Sequence, residues 1–554
     1  MRRMTDSHDV VVVGAGLAGL VTTTELLAAG RRVLLLDAEP PASLGGQAWW
    51  SFGGLFLVDS PEQRRLGVRD SAELALADWL GSAAFADDGS DRWGRAWAEG
   101  FVDFAAGGLR PWLHRLGVRW FPLVQWAERG GYLADGHGNS VPRFHVTWGT
   151  GPGILEPFVR MLLDAHHDGR VEVRFRHRVT ALTTTDGRVT GVRGDVLAPD
   201  EAERGAPSSR RAVGEFAVDA PAVVVATGGI GANHDLVRAT WPPSAGRLPE
   251  RMLSGVPDHV DGSGIEAARR AGAHVAHPAR MWHYPEGIAN HSPVWTRHGI
   301  RILPGPSSLW LDADGNRLPA PLFPGFDSLG ALQHVTARGD DHSWFVLDRT
   351  ILGKELALSG SEQNPDLTGR DVRLLLQRVR RDAVGPVETF AQRSPEFVAA
   401  TTPAELAAGM NALTGTPRID ADALTATIVA RDAQVTTGLG KDLQVTATAM
   451  ARRYVVDRAI RVAPPHRLLD PAHGPLYAVR LSVLTRKTLG GLATDLEGRV
   501  LRPDGEVLPG LWAVGEAAGF GGGGVHGHRA LEGTFLAGCL HTGRVTGRAL
   551  VDTL

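Results

Sequence analysis

Near the start of the chain Gly14, Gly16 and Gly19 stand in the order G-x-G-x-x-G. That spacing has a specific use: one glycine makes a tight turn, one lets the backbone approach a pyrophosphate, and one permits close helix–strand packing. The phosphate then rests on helix-terminal N–H groups, where the dipole favours negative charge. Leu17 and Ala18, between the glycines, are expected to contact the cofactor that carries this phosphate. Downstream, Asp37 and its neighbour Ala38 fall where a dinucleotide site places its acidic residue, whose carboxylate accepts hydrogen bonds from a ribose.

The elements that must position these groups are legible around them. Residues 9–13 (DVVVV) form a continuous apolar run, the pattern of a parallel strand covered on both faces. A helix is predicted over 20–29, closed by Gly30, and a second strand over 32–36 ends at Asp37. Together they make a βαβ unit. NAD and FAD both bind this fingerprint, so it does not choose between them. Strands are also predicted at 171–178 and 188–194, joined by an Asp186-Gly187 turn, and at 222–226 (AVVVA). The polar stretch 199–211 reads as an exposed loop. Between residues 274 and 441 the character changes, with frequent proline, tryptophan and histidine, before the last hundred or so residues return to the opening style.

Composition narrows the function. The chain has 554 residues, enough for at least two domains. Fifty-eight Lys+Arg against 61 Asp+Glu leave a net charge of −3, which provides no overall basic field for nucleic acid. The single cysteine, Cys539, excludes an intramolecular disulfide and any cysteine-based zinc or iron–sulfur centre, and makes a reducing cytoplasm the expected location. No metal-ligating set stands out. No apolar run approaches the length of a membrane span, so none is expected.

Further motifs extend the pattern. They are Ser43 to Gln47 (SLGGQ) with Ser51-Phe52-Gly53-Gly54, Ala226-Thr227-Gly228-Gly229, Asp261-Gly262-Ser263-Gly264, Thr488-Leu489-Gly490-Gly491, residues 511–519 (LWAVGEAAG) and 524–535 (GVHGHRALEGTF). With these the chain resembles, over nearly its whole length, the flavoprotein family of fumarate reductases, succinate dehydrogenase flavoprotein subunits and 3-ketosteroid dehydrogenases. The resemblance implies an α/β fold: a discontinuous Rossmann-type FAD-binding domain (1–273 and 442–554) with an inserted α+β capping domain (274–441). It implies FAD contacts from Gly45, Gly46, Gln47, Ser51, Gly53, Gly54, Val179, Ala226, Thr227, Gly228, Gly490, Gly515, Gly533, Thr534 and Phe535, with Glu516 on the second ribose. No histidine lies in 43–51, where membrane-complex members attach FAD covalently, so noncovalent FAD is expected.

The catalytic sets of both branches are incomplete. His526-Gly527 is followed by His528-Arg529, one residue off the fumarate reductase order, and Lys487 replaces the histidine before the T-x-G-G loop. The Y-P-G-P-G motif of ketosteroid dehydrogenases corresponds to His528 to Glu532 (HRALE). By family position Lys487, His526, His528 and Arg529 are the candidates beside the flavin, with Tyr132 and Tyr284 as base or proton relay. Fifteen tryptophans, among them Trp49, Trp50, Trp126, Trp148, Trp282 and Trp295, suit a pocket for a large apolar molecule. The expected reaction is introduction or removal of a C=C bond next to a carbonyl on a bulky apolar, 3-ketosteroid-like substrate, with an unidentified electron acceptor. An enone reductase fed by a separate donor and an electron-transfer subunit without its own substrate are the alternatives.

Overall fold

The computed structural model describes residues 8–131, 136–379 and 385–554. At its centre is a six-stranded sheet in the order Arg499–Leu501, Val507–Ala513, Ala222–Val225, Val10–Val13, Val33–Leu36, Val171–Arg174. Val10–Val13 runs parallel to the strands on both sides. Its residues and those of its two neighbours are buried throughout, which is why these strands read as unbroken apolar runs. The register sets Val13 beside Leu36 and Val225, and Val225 beside Ala513. Their C-terminal ends open on one crevice, where α/β sheets bind ligands.

The helix Leu17–Ala28 leaves the first strand and packs against the last helix, Thr534–Thr553. Small residues bring the two close: a Cβ on Gly543 would lie 2.7 Å from the Ala18 carbonyl oxygen, and Thr22 Oγ1 donates to the Gly543 carbonyl at 3.2 Å.

The single strand predicted over 171–178 is two. Val171–Arg174 joins the central sheet, whereas His177–Thr185 begins an antiparallel sheet with Arg188–Leu197 and Ala212–Asp219. The break falls at Arg176, which takes a left-handed conformation (φ 61°). Its buried guanidinium donates to the carbonyls of Ala198 and Ala38, both at 3.0 Å, and to Ser208 Oγ at 2.8 Å. The loop 199–211 is accordingly not all exposed: Ser208 is buried and Gly205 lies against Trp50.

A second, eight-stranded sheet is largely antiparallel. Its longest member, Leu476–Thr488, pairs with Met281–Ala289, His342–Asp348, Phe397–Ala400 and Met252–Ser254. It therefore runs through the sheet and delivers Lys487 and Thr488 to the crevice of the first. Among the described residues no helix is long and apolar enough to cross a membrane, and no group of three or more His, Cys, Asp or Glu is placed to hold a metal ion.

Candidate active site

One long cavity follows the crevice. Its near end is made by backbone. Gly14 has φ 107°, and a Cβ there would lie 2.5 Å from the Ala226 carbonyl oxygen. Gly16 faces open space, and a Cβ on Gly19 would lie 2.0 Å from the Gly14 oxygen, so the third glycine seats helix on turn. Gly16 caps the helix without any side-chain bond, which leaves its first N–H groups for a ligand. Asp37 is fixed beside this turn: Oδ2 accepts from Ala15 N at 2.7 Å and Oδ1 from Glu39 N at 2.8 Å, while burial pushes its pKa up.

Midway along the cavity Gln47 bonds both Glu516 and Lys487, Lys487 Nζ lies 3.8 Å from Glu516 Oε2, and Thr488 N donates to Glu516 Oε1 at 2.8 Å. Burial pushes the Lys487 ammonium below its ordinary pKa, against the opposing pull of Glu516. Thr227 Oγ1 is buried there without a hydrogen-bond partner. At the far end Gly533 (φ 92°) caps the last helix, again with no side-chain bond. Two helix N-termini thus open on one cavity.

The opposite wall is built from side chains. Arg301 is buried in the strand Gly299–Leu303, with Nη1 2.7 Å from Glu532 Oε1, Nε 3.6 Å from Glu286 Oε2 and Nη2 4.0 Å from Glu128 Oε2. Its guanidinium carbon lies 3.8 Å from the centre of the Tyr284 ring. Tyr284 Oη donates to Glu532 Oε1 at 2.9 Å, and Ser328 Oγ donates to Glu128 Oε2 at 3.1 Å. Burial pushes Glu128 up to about 8 and also raises Glu286, while it lifts Tyr284 well above the ordinary phenol range. Arg301 stays charged: burial opposes that charge, but the Glu286 and Glu532 carboxylates more than offset it. Trp50, Phe52, Phe144, Leu303 and Ala127 supply apolar surface beside this cluster.

Comparison with known proteins agrees with this geometry. The FAD binding domain family matches residues 9–536. The chain belongs to that family. A KsdD-like steroid dehydrogenase of Mycobacterium tuberculosis (strain CDC 1551 / Oshkosh) is 59% identical over 549 residues, 99% of this chain and 96% of its own length. The fold matches two solved structures. The 3-ketosteroid-Δ4-(5α)-dehydrogenase of Rhodococcus jostii RHA1 aligns with a TM-score of 0.64 at 21% identity, over 99% of this chain and 98% of its own. The 3-ketosteroid Δ1-dehydrogenase of Sterolibacterium denitrificans aligns with a TM-score of 0.66 at 16% identity, over 99% and 100%. This flavoprotein is an FAD-dependent oxidoreductase acting on CH–CH groups.

The cradle fits FAD: a diphosphate suits the uncapped helix terminus at Gly16, and an electron-rich ring suits the one at Gly533. Most residues expected to touch the cofactor line the cavity, including Val179, Gly228 and Phe535. Gly19, Gly53, Gly490 and Thr534 do not line it. Gly53 (φ 79°) would drive a Cβ to 2.5 Å from Thr150, and Gly490 to 2.1 Å from the His277 oxygen, so they shape the backbone. Thr534 hydrogen-bonds His526 Nε2 at 2.8 Å.

Of the six catalytic candidates, Tyr284 and Lys487 reach the cavity wall. His526 lies behind it, stacked 5.5 Å from Trp79, with burial pushing its pKa down to about 3. His528 N donates to the Ala83 carbonyl at 2.8 Å, and Arg529 Nε lies 3.9 Å from Asp327. Tyr132 lies outside the described residues. Among the six tryptophans Trp50 lines the cavity, Trp295 packs edge-on to it at 5.1 Å, and Trp282 Nε1 reaches Glu532 Oε1 at 3.3 Å. Trp49 lies under Arg204, Trp126 under Arg129, and Trp148 on Phe121. Sequence reading passed over Glu532, Arg301, Glu286 and Glu128. The signal available was a charge inside an otherwise apolar strand, Arg301 in GIRIL and Glu286 in MWHYPEGIA.

Proposed function

We propose that this flavoprotein introduces a C=C bond next to the carbonyl of a bulky, apolar, steroid-like ketone. The observation that carries the reading is the meeting, in one cavity, of the cofactor cradle, an apolar wall and the Tyr284–Glu532 hydrogen bond. The steroid dehydrogenases to which the chain is similar point to the same substrate class.

Bound FAD supplies a two-electron acceptor for hydride. The chain's own residues do the rest. The Gly14–Gly19 turn holds the pyrophosphate and Asp37 a ribose; Gln47, Glu516 and Lys487 hold the middle of the cofactor. The helix terminus at Gly533 favours negative charge at the far end. Trp50, Phe52 and Phe144 exclude water from the reacting carbons, and Tyr284 with Glu532 handles the proton lost beside the carbonyl. Residues 274–441 serve as the cap, with Leu476–Thr488 running through their sheet, a separate acceptor takes the electrons onward, and the enzyme works in the cytoplasm.

An anaerobic visible spectrum before and after addition of a panel of 3-keto steroids tests this. Bleaching of the flavin band near ~450 nm is expected. Flavin that stays oxidised with every ketone removes the steroid-like assignment and favours a reductase fed by a separate donor.

A further inference from the structure

Glu532 stands immediately before Gly533, the glycine that caps the last helix at the cavity. Its Oε1 accepts three hydrogen bonds, from Arg301 Nη1 at 2.7 Å, Tyr284 Oη at 2.9 Å and Trp282 Nε1 at 3.3 Å. Its Oε2 accepts none among the described residues, and Glu532 lines the cavity. One oxygen is gripped from two strands and the other is presented, at an orientation the grip fixes. That is the arrangement a general base needs. Tyr284 is placed differently. Its hydroxyl hydrogen is committed to Glu532 and a guanidinium lies on its ring, while burial holds the phenol in its protonated form.

The same wall offers a partner for the carbonyl. Arg486 lines the cavity and donates to Ser359 Oγ at 3.2 Å, but no carboxylate lies within 4.0 Å of its guanidinium among the described residues. Arg301 and Lys487, which also line the cavity, are paired with Glu532 and Glu516 respectively. The Arg486 charge pulls down the pKa of the half-buried Glu362 carboxylate without forming a close ion pair, so the guanidinium is left to stabilise an electron-rich oxygen.

We propose that Glu532 is the catalytic base of this enzyme, its free Oε2 removing the proton from the carbon next to the substrate carbonyl while Arg486 takes the carbonyl oxygen. The C–H bond breaks and the proton joins Oε2 to give the neutral acid. The electron pair moves into the carbonyl system, leaving an enolate whose oxygen carries the charge beside Arg486. No oxidant enters this half-step, so it is separable from hydride loss at the neighbouring carbon. Carboxylates do this beside ketones when the oxygen is stabilised. Tyr284, Trp282 and Arg301 are then positioning residues. The assignment rests on the ketone reading above.

The test follows the FAD-loaded enzyme with the 3-keto steroid panel in deuterated buffer without oxygen. Flavin bleaching and deuterium uptake next to the carbonyl, the latter by mass spectrometry, are read together. Glu532→Gln is expected to keep its flavin, to melt lower because Arg301 loses its nearest carboxylate, and to lose about a hundredfold or more in both readouts, the lower range of general-base catalysis. Glu532→Asp restores part of that loss, and Tyr284→Phe stays within about tenfold of the wild type because it removes only one of the three donors. If E532Q matches the wild type, or Y284F loses what E532Q keeps, the proton belongs elsewhere and the base assignment is overturned. Should E532Q shed its flavin, E532D decides: an unchanged rate with the carboxylate drawn back by one methylene overturns the assignment. A wild type that neither bleaches nor takes up deuterium with any ketone overturns the ketone reading itself, and the base assignment with it.

Discussion

The two sides of the cavity are held by different physics. The cradle is backbone: glycines at 14, 16 and 19, uncapped helix termini, and a carboxylate fixed by two main-chain N–H groups. The wall opposite is side chain: Arg301 among Glu532, Glu286 and Glu128, with Tyr284 stacked upon it. A backbone site tolerates little change at a few positions and is indifferent to most others. A buried ionic site depends on every member, because each charge removed leaves its partners desolvated and unpaired.

Four substitutions separate these regimes. Gly14→Val forces a β-branched residue to φ 107° with its Cβ against the Ala226 oxygen. It should cost about 3–5 kcal/mol, from left-handed strain plus overlap, and abolish FAD binding, as denaturant unfolding and bound flavin absorbance would register. Arg301→Met should cost about 3–5 kcal/mol in the same unfolding assay, the range for stripping one partner from a buried ion cluster, yet keep its flavin. Loss of flavin in R301M with stability intact would erase the distinction between the two sides.

Asp37→Ala acts within the cradle. Loss of a charged hydrogen-bond acceptor should weaken FAD binding by about 1.5–3 kcal/mol, measured by titrating the apoprotein with FAD. The last effect is a pH slope. Burial keeps Glu128 protonated in the folded state to about pH 8, against 4.5 for the free group. The folded state therefore binds more protons across that window, so stability is fullest below pH 4.5 and falls as the pH rises towards 8. Glu128→Gln, neutral throughout, should flatten that slope in melts taken from pH 5 to 8.

This contrast also explains what was legible beforehand. Gly14, Gly16, Gly19 and Asp37 announce themselves by local spacing, because a phosphate-binding turn and its strand end are made within one βαβ unit. Glu532 and Arg301 meet across 231 residues, through two strands and a helix cap whose register no local pattern records. His526 shows the opposite error. It stands in a glycine-rich motif that points at the flavin, but its ring is spent on Trp79 and Thr534. Family position located the motif correctly; which side chains turn inward was decided by packing. The split of the strand predicted over 171–178 has the same origin, a buried arginine whose carbonyl partners lie far away in sequence.

The pairing of Val223 with Leu511 carries a consequence for how the molecule comes into being. The strand Val10–Val13 is made long before Val507–Ala513, the neighbour of its neighbour. The helix that covers the opening helix, Thr534–Thr553, follows later still. The antiparallel sheet around Met281–Ala289 must also wait for Leu476–Thr488. Both halves thus close late, and closure pays its loop entropy over long sequence separations, the regime in which folding is slow and half-made edges are exposed. The cradle that FAD requires is therefore complete only once Thr534–Thr553, whose N-terminus opens on the cavity, has been made.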